Sequence, residues 1–105
     1  MNQGEVVLVT LADGKRRPAV VVSSNWFNNR GELVVAAATS QPSASGDRDE
    51  IALSASDLGL PSPAVVLAGK LITIQESQVA KTLAKLPDKS LHAVLERLSE
   101  VLGLL

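Results

Sequence analysis

The sequence has 105 residues, no cysteine and a formal net charge of −1. This length predicts one domain over residues 1–105, and the lack of cysteine excludes a disulfide framework, a thiolate zinc site and a cysteine nucleophile. The charge argues against a broad electrostatic grip on duplex nucleic acid. Without a signal peptide or a membrane-length apolar stretch, we expect a cytoplasmic protein.

Six runs of apolar and β-branched residues, separated by Gly, Pro, Asn and Ser, predict six strands. Pro18 lacks an N–H group, so we expect it to be the first residue of its strand. Gly69 lies within the longest run and predicts a bulge or bend. Polar loops are expected over 24–31 and 40–46, and a turn over 58–63. The predicted strands are 6–11, 18–23, 32–39, 50–53, 64–74 and 82–86.

The C-terminal region changes its hydrophobic period from two to three or four residues, which predicts an amphipathic helix. Asp88 is expected to cap its start and Gly103 to end it. Its apolar face is formed by Leu91, Val94, Leu95, Leu98, Val101 and Leu102. Short strands followed by one helix predict a mainly β (α+β) fold, a small curled antiparallel sheet or barrel with a capping helix.

Residues 15–23 join three cations to a β-branched run. The residue before a proline is held extended, so Arg17 should be fixed at the edge of the core, where it can bind an anion. A strand start with solvated charges explains the same residues. Trp26 can stack on a base, lie in an interface or join the core. His92, the only histidine, is expected to be a surface residue.

An ordered set of short motifs along the whole chain resembles the MazF/PemK (Kid) toxins of bacterial toxin–antitoxin pairs. These motifs are residues 4–9 (GEVVLV), 17–23 (RPAVVVS), Phe27-Asn28, Ala38-Thr39-Ser40, Gly59-Leu60-Pro61, Thr73-Ile74 and Leu104.

The resemblance implies an SH3-like β-barrel that forms a homodimer and cleaves single-stranded RNA (mRNA) without a metal or other cofactor. It also implies a cognate antitoxin whose disordered tail occupies the RNA groove. Arg17 and Thr39 match the family's catalytic Arg and Thr/Ser. RNA contacts are then expected from Lys15, Arg16, Ser23, Trp26, Ser40 and Lys70.

The sequence departs from the Kid-like branch on the long strand. Leu67 and Gly69 stand where that branch has an Arg and an Asp that take part in cleavage, and Ile72 replaces a frequent Arg. The general acid and base are therefore not evident. The alternatives are a non-catalytic binding module, either a decayed toxin or a gyrase poison like CcdB, and a purely structural dimerisation domain.

Overall fold

The computed structural model describes residues 1–40 and 49–104, and within them six strands and three α-helices form one mainly β structure. The helices are α1 (Asn25–Asn28), α2 (Ala55–Leu58) and α3 (Asp88–Leu102). The strands are β1 (Glu5–Thr10), β2 (Arg16–Val21), β3 (Glu32–Thr39), β4 (Glu50–Leu53), β5 (Ala64–Gln75) and β6 (Val79–Lys85). Their order in the sheet is β4-β5-β3-β2-β1-β6, and every neighbouring pair is antiparallel. The predicted curled antiparallel sheet with a C-terminal helix is confirmed.

Two short helices occupy segments whose composition did not predict a helix. Ser24 caps α1, and its hydroxyl accepts a hydrogen bond from the N–H of Phe27 at 3.3 Å. Ser54 caps α2 in the same way, accepting from the N–H of Asp57 at 3.1 Å. Each helix has a single turn, so it depends on its serine cap and not on an apolar period. Of the loop expected over 40–46, only Ser40 lies within the described residues.

The sheet buries apolar residues on both faces. On one face Val6, Val20 and Val66 pack with Val94 of α3 and Leu58 of α2. The cluster on the other face is formed by strand residues, among them Val7, Val9, Val21, Leu33 and Val35, with Leu11 and Val79 packed against it. Among the described residues no helix contributes to this second cluster, so the curl of the sheet itself encloses it.

Helix α3 covers the first of these faces and ends where predicted, at Gly103, which has a left-handed φ of 68°. Its start differs by one residue, because Pro87 holds the cap position and Asp88 is the first helical residue. The prediction that the whole apolar face of α3 is buried is wrong at the C-terminal end. Val101 and Leu102 are 44% and 53% exposed, because the last turn of the helix extends past the core. No helix of the described chain is long and apolar enough to cross a membrane.

Candidate functional site

Strand β2 separates from β3 at Pro18, which is the third residue of its strand and not the first as expected. The carbonyls of Lys15 and Val21 accept hydrogen bonds from the β1 side. Since backbone groups alternate in direction along a strand, the nitrogen of Pro18 points toward β3. Pairing between β2 and β3 covers only Ala19 to Val21. The missing N–H of Pro18 therefore falls where no ladder bond is made.

Strand β5 carries a bulge opposite the same place. Ala36 of β3 lies opposite Leu71, whereas Ala38 lies opposite Val66, so residues 67–70 of β5 face the single residue Ala37. The predicted bulge at Gly69 lies within this segment. A bulge of this kind bends its strand and redirects the side chains on it. The parting of β2 from β3 and the bulge of β5 together open a cleft at this end of the sheet.

The cleft is a cavity of about 570 Å³, called the groove below. It brings together four of the residues expected from the sequence: Arg17, Thr39, Ser40 and Lys70. Residues 60–62, which follow α2, add Leu60, Pro61 and Ser62 to the wall. The Ser62 hydroxyl was not predicted, and the only sequence signal for it is its position directly after the Gly59-Leu60-Pro61 motif. The remaining lining residues are Pro18, Ala37, Ala38, Ala64 and Leu67.

The groove is electropositive. Arg17 and Lys70 are its charged residues, and no carboxylate or imidazole belongs to the described residues that line it. Neither cation makes an ion pair within the described part of the chain. Guanidinium and ammonium groups beside hydroxyls are suited to bind phosphate oxygens, because Arg can donate two parallel hydrogen bonds and Lys supplies a point charge.

Lys15 and Arg16 are exposed at the same end of the sheet but do not line the groove. The N–H of Lys15 donates to the carboxylate of Asp13 at 2.9 Å, which fixes the β1–β2 turn. Arg16 lies opposite Thr10, and its side chain points to the other face of the sheet from that of Arg17. The charges of Lys15 and Arg16 can therefore attract an anion toward the groove, although neither side chain lines it.

Ser23 and Trp26, expected to contact RNA, do not line the groove. They follow the other end of β2, and six extended residues at ~3.3 Å each separate Ser23 from Arg17 by about 20 Å. The Ser23 hydroxyl accepts from the N–H of Val34 at 3.0 Å and donates to the side-chain oxygen of Asn28. Trp26 is 80% exposed on α1. The linear sequence did not show which end of β2 would lie at the cleft.

Leu67 and Gly69 explain why the groove lacks a carboxylate from β5. Leu67 lines the groove with an aliphatic side chain. A Cβ atom on Gly69 would lie 2.7 Å from the carboxylate oxygen Oδ2 of Asp49. Asp49 therefore occupies the space into which a side chain at position 69 would extend. Asp49 itself lies beside Arg97 and Glu100 of α3 and does not line the groove.

Comparison with known proteins agrees with this fold. Residues 2–102 match the family model of the PemK-like, MazF-like toxins of type II toxin–antitoxin systems. Comparison with curated protein sequences gives no significant match.

Among solved structures, MazF in a MazE–MazF complex from Deinococcus radiodurans is 30% identical, with a TM-score of 0.81 over 98% of this chain and 96% of that one. An endoribonuclease in complex with its cognate antitoxin from a mycobacterial species has a TM-score of 0.83 at 21% identity, over 100% and 97% of the two chains. The Mycobacterium tuberculosis toxin MazF-mt6 has a TM-score of 0.81 at 20% identity, over 94% and 96%. The likeness at 20 and 21% identity is one of fold.

Proposed function

Since the chain belongs to the PemK-like, MazF-like toxins of type II toxin–antitoxin systems, we propose that it is an endoribonuclease. It cleaves single-stranded mRNA in the cytoplasm, acts as a homodimer without a metal ion, and is neutralised by a cognate antitoxin. The observation that carries this proposal is the meeting of Arg17, Thr39 and Lys70 around one groove. MazE–MazF complexes among the structural relatives support an antitoxin as partner.

The chemistry requires the groove to stabilise negative charge. The 2′-oxygen of a ribose attacks the adjacent phosphorus, and the bond from phosphorus to the 5′-oxygen of the next nucleotide breaks, leaving a cyclic phosphate. The Arg17 guanidinium donates to the non-bridging oxygens as their charge grows, and the Thr39 hydroxyl donates to one of them. Preorganised donors of this kind supply a large share of the rate enhancement in many enzymes. Ser40 and Ser62 line the same groove and border the adjacent part of the bound RNA.

Two protons must also move, one from the attacking 2′-OH and one to the departing 5′-oxygen. The described lining of the groove offers neither a carboxylate nor an imidazole for this transfer. Lys70, on the β5 bulge, and water are the carriers that the groove offers. We therefore assign most of the rate enhancement to charge stabilisation and positioning by Arg17 and Thr39.

The test is cleavage of a mixed single-stranded RNA in the presence of EDTA. We expect wild-type protein to cut it, and Arg17→Ala to lower the rate by about 10²–10³, the cost of removing one preorganised donor. Arg30→Ala is the charge-matched control, because Arg30 lies near Glu32 and away from the groove. Intact RNA with folded wild-type protein, or equal rates for the two variants, would contradict the proposal.

The second candidate is a non-catalytic binding module on the same fold. The absence of a carboxylate from the described groove residues favours it. A decayed toxin or a gyrase poison would arrest growth or bind its target while mRNA stays intact, and a gyrase poison would also accumulate gyrase–DNA adducts. A purely structural dimerisation domain would cause no growth arrest. Growth, mRNA integrity and gyrase–DNA adducts, measured together after expression in bacteria, separate the endoribonuclease, the gyrase poison and the structural domain.

A further inference from the structure

One wall of the groove is formed by the part of the chain that connects β4 to β5. The two ends of this connection meet where β4 and β5 are paired. Residues 54–63 lie between the two strands, contain α2, and place Leu60, Pro61 and Ser62 on the groove. We call residues 54–63 the wall segment. Because the wall segment belongs to neither strand, ladder hydrogen bonds do not fix its position, and other contacts must do so.

The middle of the wall segment is anchored to the sheet. Leu58 is fully buried in the apolar cluster that α3 covers, and α2 packs against β6. Gly59 follows with a left-handed φ of 66°. A Cβ atom on Gly59 would overlap the carbonyl oxygen of Leu83 on β6. The chain therefore passes directly against the β6 backbone just before it reaches the groove.

A hydrogen bond between side chains ties α2 to α3. The Ser90 hydroxyl donates to the carboxylate oxygen Oδ2 of Asp57 at 2.7 Å. Ser90 lies in the first turn of α3, where Pro87 holds the cap position and no side chain caps the helix. The Asp57 carboxylate is therefore near the positive end of the α3 dipole, which stabilises a negative charge. No cation of the described residues is paired with Asp57, so the Ser90 hydroxyl and the helix end are what stabilise it.

The position of α2 determines the position of the groove wall. The N–H of Leu60 donates to the carbonyl of Ala55 at 3.1 Å, so α2 and the first groove residue form one hydrogen-bonded unit. A helix of one turn does not hold itself in place. Burial of Leu58 fixes how deeply this unit sits, and a second contact, to a different element, is needed to fix its orientation. The Asp57–Ser90 hydrogen bond is such a contact.

We propose that Asp57 and Ser90 are positioning residues for RNA binding, because their hydrogen bond holds the wall segment at the distance from Arg17 and Thr39 that a single strand requires. The inference rests on the proposed function, since that strand is the RNA substrate. Without the hydrogen bond, only a fraction of the molecules has the wall in place, and the apparent affinity falls by that fraction. Bound RNA restores the position of the wall, so the loss falls on KM and not on kcat.

The test is the initial rate of RNA cleavage over a range of substrate concentrations, at a temperature where every variant is folded. We expect Asp57→Ala and Ser90→Ala each to raise KM by about two- to tenfold, the equivalent of one net hydrogen bond, with kcat within about twofold of wild type. Ser90→Thr keeps the hydroxyl and Asp57→Asn keeps an acceptor oxygen, so both should restore KM. The double alanine variant should have the KM of a single variant, because the two side chains act through one bond.

Ser24→Ala is the matched control. The Ser24 hydroxyl accepts from the N–H of Phe27 and caps α1, which does not line the groove. Its loss should lower the stability in the way that loss of a helix cap does, but should leave KM unchanged. An unchanged KM in Ser90→Ala, an equal rise of KM in Ser24→Ala, or effects that multiply in the double variant would overturn the inference.

A second measurement needs no RNA. The sequence has no cysteine, so Ser62→Cys provides a single attachment site for a nitroxide spin label on the exposed wall. Adding Ser90→Ala should narrow the lines of the electron paramagnetic resonance spectrum, because the wall segment moves more freely, whereas adding Ser24→Ala should not. Narrowed lines together with uncleaved RNA would contradict the proposed function and leave the positioning role standing. Unchanged lines in a protein that cleaves RNA would overturn the inference alone.

Discussion

The two ends of the β2–β3 strand pair carry similar residues in very different surroundings. At one end Ser23 bonds to Val34 and Asn28, and Asn28 is only 5% exposed. At the other end the strands part at Pro18, and Arg17 and Thr39 border a groove of about 570 Å³. We refer to these as the closed end and the open end. Each has a hydroxyl residue at or just beyond the end of a strand, yet Thr39 lines the groove whereas Ser23 is hydrogen-bonded within the fold.

The difference lies in whether the backbone ladder continues. At the closed end the N–H groups of Val22 and Ser23 both donate to the carbonyl of Val34, so the chain turns into α1 with its polar groups satisfied. At the open end Pro18 removes a ladder donor and the β5 bulge moves the neighbouring strand away. Where the backbone pairing of two strands stops early, polar side chains are left beside a cavity. Where the pairing continues, the polar groups form hydrogen bonds within the fold.

The largest expected effect is on cleavage at the open end. Thr39→Val keeps the shape of the side chain but removes the hydroxyl that we place on the phosphate. We expect the rate of RNA cleavage to fall by about 10²–10³, measured as initial rates on a single-stranded substrate. Thr39→Ser, which keeps the hydroxyl, should restore most of the rate. A Thr39→Val protein that cleaves like wild type would show that the open end is not the catalytic end.

The next effect is on stability at the closed end. Asn28 donates to the carbonyls of Met1 and Ser23 at 3.1 and 3.2 Å and accepts from the Ser23 hydroxyl. Asn28→Ala removes these three hydrogen bonds, so the free energy of unfolding should fall by about 1–3 kcal/mol. Urea denaturation measures the loss, and RNA cleavage at a temperature where the variant is folded should persist. If Asn28→Ala lost cleavage but kept its stability, the closed end would take part in cleavage and would not serve only to stabilise the fold.

A smaller effect is expected on β5, where Gly69 stands at the position for which the resemblance to the Kid-like branch implies an Asp. Gly69→Asp places a second carboxylate beside that of Asp49, whose Oδ2 lies 2.7 Å from the new Cβ position. Repulsion between like charges at the surface should lower the free energy of unfolding by about 1 kcal/mol. It should not raise cleavage, because Asp49 lies outside the groove. Adding Asp49→Asn should recover the stability, whereas faster cleavage by Gly69→Asp would show that the new side chain reaches the groove.

The fold could be predicted where turn residues or a glycine mark the end of an apolar run. Strands β3 and β4 have their predicted bounds, and α3 ends at the predicted glycine. The single-turn helices α1 and α2 could not be predicted from periodicity, because serine caps and tertiary contacts stabilise them. Pro18 was assigned to the start of β2 because a proline interrupts a ladder, but whether a ladder is present at that position depends on the distant residues of β3.

The site could be predicted in part. Arg17, Thr39, Ser40 and Lys70 were expected from the sequence and line one groove, although their roles remain predictions. Ser23 looked equivalent to Thr39, since each hydroxyl stands at the end of an apolar strand. Only the pairing of the strands shows that these hydroxyls lie at opposite ends. The position of the Asp49 carboxylate against Gly69 also depends on residues far apart in sequence.

The smallest expected effect concerns Trp26, which is the only tryptophan and is 80% exposed near the closed end. Trp26→Ala should change the rate of RNA cleavage by no more than about twofold and the free energy of unfolding by less than about 0.5 kcal/mol, as is usual for an exposed side chain away from a site.

The same residue is a fluorescent reporter for the wild-type protein. RNA bound at the open end, about 20 Å from Ser23 at strand spacing, should leave Trp26 emission unquenched, whereas a base stacked on the indole would quench it. Quenching that disappears in Arg17→Ala would mean that a bound strand extends from the groove to α1, and both ends of the β2–β3 pair would then belong to one RNA-binding surface.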